Sequence, residues 1–204
     1  MKLSLFLLAT AALLGGCVPE SQHPLSAPAK AMVDDQLEGA WTLKKDRELA
    51  FIHFHRRGES TNEIVAALGG QWTDVVQVVH EESGGIESGS WAMFPTNIGE
   101  HSYMNVIAPN PTKAEDLSYM FMRYKVINGN ELHLWRPDVE AFTKAIDDGR
   151  IKGKVSRTKG QLINDVEVRI TDTTENLAAF LTSADAQKVF ADLYGTFRKV
   201  PVAP

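Results

Sequence analysis

Apolar and polar residues alternate along several segments of the chain from residue 37 onward. Residues 151–157 and 166–171 alternate as half-buried strands do, and residues 49–55 are rich in apolar and aromatic side chains. Asn128-Gly129-Asn130 separates two further apolar segments and predicts a hairpin, because Asn and Gly tolerate positive φ. The predicted strands begin near residue 39 and otherwise comprise residues 49–55, 72–82, 90–95, 103–108, 118–127, 131–136, 151–157, 166–171 and 195–200.

Short helices are predicted where a capping residue precedes an apolar stripe of helical spacing. Asp138 can cap one helix through its side-chain oxygen, and Asp172 opens another. Ser60 and Glu63 have the spacing of a capping box. The predicted helices comprise residues 60–68, 138–147, 172–181 and a segment that starts at residue 183 and ends before Gly195.

These elements predict a mainly β fold with short helices, of the α+β class. Short turns join most successive strands, so the sheet is expected to be antiparallel. Closure into a barrel would hide the edges of such a sheet. We therefore expect an antiparallel barrel with the C-terminal helices packed outside it.

The first sixteen residues have the pattern of a secretory signal. Lys2 supplies a positive charge, residues 3–14 are apolar, and the small residues Gly15 and Gly16 follow. The apolar run is too short to span a bilayer, which needs about 20 apolar residues. The pattern predicts export with removal of residues 1–16.

Leu14-Gly15-Gly16-Cys17 resembles the lipobox of bacterial lipoproteins. The resemblance implies cleavage between Gly16 and Cys17, attachment of a diacylglycerol to the Cys17 thiol, and acylation, for example by palmitate, of the freed amine. Cys17 is the only cysteine of the chain, so it cannot close an intramolecular disulfide. The alternative is a cleaved secretory signal followed by a cysteine without a lipid.

Lipid attachment would tether the chain to a membrane, because each buried CH₂ contributes about 0.8 kcal/mol. The residue after Cys17 is Val18 rather than Asp. By resemblance to the sorting pattern of enteric lipoproteins, this implies the periplasmic face of the outer membrane rather than the inner membrane.

The chain is expected to have three parts: the signal at 1–16, a lipidated flexible tether at 17–36, and one barrel-like domain at 37–204. The tether contains Pro19, Pro24 and Pro28 and has little apolar surface to bury. A coil of about 19 residues spans about 25 Å on average. The domain is therefore expected close to the membrane surface.

Charge excludes one class of function. The formal net charge is −5 at pH 7. Nonspecific nucleic-acid binding depends on neutralising phosphates with basic side chains, so no nucleic-acid partner is expected.

Gly39-Ala40-Trp41, at the start of the first predicted strand, resembles the Gly-x-Trp signature of lipocalins and related calycin barrels. In that family the Trp plugs the closed end of the barrel and packs under a basic residue from a late strand. The resemblance implies a barrel-closing pair of Trp41 and Arg198. Gly89-Ser90-Trp91 repeats the signature, so the motif alone has little specificity.

The sequence contains no nucleophile elbow, phosphate-binding loop or zincin motif, so it predicts no enzyme and no cofactor. His53 and His55 lie two residues apart on a predicted strand and therefore face the same side. With a third ligand they could bind Zn²⁺ or Cu²⁺, and otherwise they are two rings on a polar face.

Two functions remain open at this point. In the first, a membrane-anchored barrel binds a small apolar ligand or lipid in its cavity. In the second, a structural or interaction lipoprotein contacts an envelope protein complex or the cell wall through its outer face. A hollow interior would favour the first function, and a filled interior would favour the second.

Overall fold

The structure of the chain is a computed structural model. The structure describes residues 18–45, 48–58, 63–80, 85–107, 112–113, 117–159, 164–184 and 186–201. The predicted signal at 1–16 and the predicted lipid-bearing Cys17 lie outside the described residues, as do Ser60 to Asn62 of the capping box.

Strands dominate the described residues, and the helices are short. The strands are β1 (Glu20–Ser21), β2 (Gly39–Lys45), β3 (Glu48–Arg56), β4 (Thr73–His80), β5 (Ile86–Ile98), β6 (His101–Ile107), β7 (Tyr119–Ile127), β8 (Glu131–Trp135), β9 (Gly153–Lys159), β10 (Asn164–Ile170) and β11 (Leu193–Lys199). The helices are α1 (Glu63–Leu68), α2 (Val139–Asp147), α3 (Thr174–Leu181) and α4 (Ala186–Val189).

Eight strands close into an antiparallel barrel. Strands β2 to β8 pair with their neighbours in chain order, and β11 lies between β8 and β2. The pairing of β6 with β7 completes the ring. The expected mainly β fold with a closed, lipocalin-like antiparallel barrel is therefore confirmed.

Three strands extend the wall of the barrel outward. Strand β1 pairs antiparallel with the start of β7 and parallel with β10, and β9 pairs with β10. Strands β9 and β10, together with helices α2, α3 and α4, lie in the chain between the last two barrel strands, β8 and β11. This insertion covers one side of the barrel.

The wall separates two hydrophobic cores. On β5, Met93 belongs to the barrel interior, whereas Ala92 and Phe94 belong to the outer core beneath the helices. All three side chains are fully buried because both faces of the sheet are covered at this point. The outer core includes Leu177, Phe180 and Phe190, so the C-terminal helices do pack outside the barrel, as predicted.

Local sequence explains the turns and caps around this wall. Asn128 (φ 52°) and Gly129 (φ 69°) form the predicted tight turn between β7 and β8. The Asp138 carboxylate accepts a hydrogen bond from the Ala141 N–H (2.9 Å) at the start of α2. Within the strand predicted at 72–82, residues Thr73–His80 form strand β4.

The prediction of a flexible tether at 17–36 is wrong for the described part, residues 18–36. Strand β1 lies within the sheet, and Leu25 is only 2% exposed. The Leu25 N–H donates to Oδ1 of the fully buried Asn105 (2.7 Å), so backbone and side chain are both satisfied. Ala31 is also buried in the outer core. The folded domain therefore begins near residue 18 rather than at residue 37.

Candidate functional site

Trp41, the predicted barrel-closing residue, lies in the interior core of the barrel. Its side chain is completely buried in the interior core, and its Nε1–H donates to the Leu37 carbonyl oxygen (2.7 Å). Leu37 is also buried in this core, immediately before β2 begins. Trp41 and the chain that precedes it therefore close one end of the barrel.

The predicted partner of Trp41, Arg198, is wrong. The cation over the indole ring is Lys199, whose Nζ lies 5.1 Å from the ring centroid. Strand β11 alternates between faces: Phe197 is inside, and Arg198 points outward to Glu131, with 2.6 Å between Nη1 and Oε2. The register pairs Lys199 directly with Trp41, which puts the neighbouring lysine over the ring.

Side chains fill the interior of the barrel. Its core is built mainly from large apolar residues contributed by β2 to β8 and β11, and many of them are fully buried. Among them are Trp41, Ile52, Phe54, Met93, Leu132 and Phe197. An eight-stranded barrel has room either for a packed core or for one small ligand, and here side chains take the space.

His53 and His55 share one face of β3, as predicted, with ring centroids 5.6 Å apart. Both side chains are exposed, and His55 Nε2 lies 3.5 Å from Asp74 Oδ2. In the described part of the chain, no three His, Cys, Asp or Glu side chains come together to hold a metal ion. The two rings are thus a pair on an exposed face.

A groove of about 1220 Å³ lies outside the barrel, between residues 26–36 and strands β5 to β8. One wall is the N-terminal segment that the sequence predicted as a tether. The other wall consists of the β5–β6 turn and the adjoining parts of β7 and β8. The lining includes Lys30, Asp34, Asp35, Thr96, Glu100, His101, Ser102, Arg123, Tyr124, Lys125, His133 and Trp135.

Arg123 is the side chain of this groove that stands out chemically. It sits on β7 directly opposite Trp135 of β8, and its guanidinium carbon lies 4.4 Å from the indole centroid. The Nε atom is buried without a hydrogen-bond partner, and Arg123 makes no ion pair with any residue that the structure describes. The two Nη atoms are not among the buried unpaired atoms.

Burial has an electrostatic effect on Arg123. It lowers the pKa of the guanidinium from its ordinary value, and the neighbouring Tyr103 hydroxyl acts against that shift. Tyr103 is paired with Arg123 across β6 and β7 and is nearly fully buried. A half-buried cation without a carboxylate is an unusual arrangement, because desolvation of a charge is costly unless it is compensated.

Two of the carboxylates that line the same groove have partners of their own. Asp34 Oδ2 accepts a hydrogen bond from the Tyr124 hydroxyl (2.8 Å), and Asp35 Oδ1 lies 2.7 Å from Arg56 Nη2. Burial, followed by the nearby charge of Asp34, raises the pKa of Tyr124, which keeps its hydroxyl protonated as a donor. Neither carboxylate is paired with Arg123.

Neither Arg123 nor Trp135 was predicted from the sequence as a site residue. One signal was present: Arg123 is the one charged residue in the otherwise apolar and aromatic run from Tyr119 to Tyr124. A cation in the middle of such a strand is expected either to pair with a carboxylate of the protein or to bind a ligand. Its lack of a partner, however, depends on which residues the barrel brings next to it.

Comparisons with known proteins identify no relative: no protein-family model, no curated protein and no solved structure matches the chain. Within the described residues, no helix has the length and apolar character needed to cross a membrane.

Proposed function

We propose that the chain is a lipid-anchored lipoprotein of the bacterial envelope, located at the periplasmic face of the outer membrane, that binds an envelope partner through the groove outside its barrel. The observation that carries the binding part is the contrast between a barrel filled by side chains and an open groove containing an uncompensated cation. The anchoring part rests on Leu14-Gly15-Gly16-Cys17 and on the single cysteine of the chain.

The packing of residues 18–36 strengthens the link between anchor and groove. Only two residues, Val18 and Pro19, lie between the proposed lipid-bearing Cys17 and Glu20 in the sheet, and these three residue steps span about 10 Å. The same N-terminal segment then continues into the wall of the groove. An anchored chain would therefore hold the groove at a restricted distance from the membrane, where an envelope partner is available.

The anchor is tested by replacing the modified atom. Cys17→Ser should abolish acylation and leave uncleaved precursor, as seen by intact-mass measurement of the membrane fraction. Release of a processed, unlipidated product from wild-type cells would contradict the anchor. For localisation, Val18→Asp should move the protein from the outer to the inner membrane in density-gradient fractions.

The binding surface is tested by site-specific photo-crosslinking in intact cells. A photoreactive residue in place of Lys125 or Glu100, both exposed in the groove, should yield the same discrete product. The matched control is Ser88, which is exposed on β5 outside the groove. An equal product from Ser88, or none from either groove position, would contradict the proposal.

A second candidate function is binding of a small apolar ligand or lipid inside the barrel. One observation favours it despite the packed interior: Gln77 is 3% exposed on an interior position, and its Nε2–H₂ lacks an acceptor that the polar group of a lipid could supply. Met93, Met104 and Met122 line the same interior, and their flexible thioethers can rearrange around a guest. Native mass spectrometry of the full chain, extracted in non-ionic detergent from the membranes of its own bacterium, would detect such a ligand as a defined added mass.

A further inference from the structure

We infer that the groove contains a binding site for a carboxylate group, with the Arg123 guanidinium as its anchor and Trp135 as its support. This inference deepens the proposed function, because it names the chemistry that the groove recognises. It rests on three observations: the fixed position of the guanidinium, its missing counter-charge, and the charge balance around it.

The guanidinium is held in place before any ligand arrives. It lies over the Trp135 ring at 4.4 Å, and its Nε is buried in the wall of the groove. The Nη end is neither hydrogen-bonded to a described residue nor fully buried, so it is the end that a ligand can reach. A planar guanidinium with two available N–H groups matches the two oxygens of a carboxylate in a bidentate pair.

Other arginines of the described chain do have a carboxylate partner. Arg198, on the neighbouring outer surface, is paired with Glu131, and Glu131 also lies 2.5 Å from His133 Nε2. Arg56 is likewise paired, with Asp35. Among these, only Arg123 is desolvated without a carboxylate, and a ligand carboxylate would remove that cost.

Charge balance favours a monoanion over a phosphate dianion. The groove lining includes Lys30, Arg123 and Lys125 but also Asp34, Asp35 and Glu100. The field of the groove is therefore not strongly positive, and one uncompensated guanidinium balances one negative charge. The indole surface beside it can contact the organic part of a carboxylate ligand, which inorganic phosphate lacks.

The experiment is a titration of the full chain in non-ionic detergent, followed by NMR of the arginine Nε–H resonances. A buried Nε–H is shielded from solvent, so the Arg123 resonance should be observable, and its loss in Arg123→Lys assigns it. The probes are acetate and inorganic phosphate at constant ionic strength. We expect a saturable shift of this resonance at millimolar acetate, with phosphate at least about threefold weaker.

Two variants separate a binding role from a structural one. Arg123→Lys keeps the charge but loses the planar fork, so the acetate affinity measured on neighbouring amide resonances should fall about tenfold. Arg198→Gln removes a paired arginine outside the groove lining and should leave the acetate affinity unchanged. Both variants are first checked for a native thermal unfolding transition.

Three results would overturn the inference: no saturable shift with acetate, an equal affinity in Arg123→Lys, or tighter binding of phosphate than of acetate. The titration uses small ions and purified protein, so its outcome is independent of anchoring and crosslinking. A saturable acetate shift without groove-specific crosslinks would contradict only the proposed partner. Groove-specific crosslinks without a saturable acetate shift would contradict only the carboxylate site.

Discussion

The barrel uses the same pair of groups, a cation over an indole ring, on both sides of its wall. Inside, Lys199 lies over Trp41, whose N–H donates to Leu37, and the Lys199 Nζ donates to the Gln36 carbonyl oxygen (3.4 Å). Outside, Arg123 lies over Trp135 at 4.4 Å, but its Nε has no acceptor. The inner pair is satisfied by the protein itself, and the outer pair is not.

This difference separates a structural role from a binding role. In the inner pair the indole N–H and the ammonium each have a protein acceptor, so these contacts contribute to the stability of the closed end. A desolvated cation without a counter-charge lowers the stability of the folded protein. A ligand that supplies the missing charge binds favourably there and stabilises the folded state. Both pairs are cation–π contacts. They differ in whether the cation still lacks a partner, which determines whether the pair can bind a ligand.

The largest expected effect is on the inner pair. Trp41→Ala should lower the free energy of unfolding by about 3–5 kcal/mol, because it removes a completely buried indole and leaves a cavity at the closed end. Urea denaturation of the full chain in non-ionic detergent measures this loss. A change below about 1 kcal/mol would show that Trp41 does not close the barrel.

A smaller loss is expected at the outer ring. Trp135 is only half-buried, so Trp135→Ala should cost about 1–2 kcal/mol by the area of apolar surface it exposes. The same variant should weaken acetate binding, because Arg123 loses its support. If Trp135→Ala were as destabilising as Trp41→Ala, the two pairs would have the same structural role.

Lys199→Met tests the inner cation alone. The variant keeps the aliphatic contact with Trp41 but loses the charge over the ring, so we expect a loss of about 0.5–1 kcal/mol. Arg198→Met is the matched control on the adjacent outward position, where the Glu131 contact is lost instead. The thermal unfolding transitions of both variants are compared. No destabilisation in Lys199→Met would contradict the pairing of Lys199, rather than Arg198, with Trp41.

The smallest effect, with the opposite sign, is expected at Arg123. Arg123→Met replaces an uncompensated half-buried cation with an apolar side chain, so stability should stay within about 1 kcal/mol of the wild type or rise. Addition of acetate should then stabilise the wild type but not the variant, in proportion to site occupancy. A loss above about 2 kcal/mol would mean that Arg123 holds the wall together.

Local elements were predictable where the signal was local. The turn at Asn128-Gly129 and the cap at Asp138 depend on residues close in sequence, and both form as expected. The partner of Trp41 was also within reach: with Trp41 and Phe197 both inside, alternation along β11 places Lys199 inside and Arg198 outside. The resemblance to lipocalins indicated the right strand, β11, but a residue on its outer face instead of its inner face.

The packing of residues 18–36 could not be predicted in the same way. A proline-rich segment with few apolar residues is typical of a coil, and a two-residue strand has no detectable periodicity. Leu25 is held there by Asn105, which is 80 residues away in the chain. Such a contact depends on where the barrel places β6.

The sequence by itself determined the alternation that produces an antiparallel barrel, and it carries the pattern that predicts export and a lipid-bearing Cys17. These features depend on residue type and short-range spacing, which the chain carries directly. Only the tertiary structure decided that the interior is filled, that the N-terminal segment forms one wall of a groove, and that Arg123 lies there without a counter-charge. Those properties depend on which distant residues share a surface, because burial and missing partners are defined only once the strands are in register.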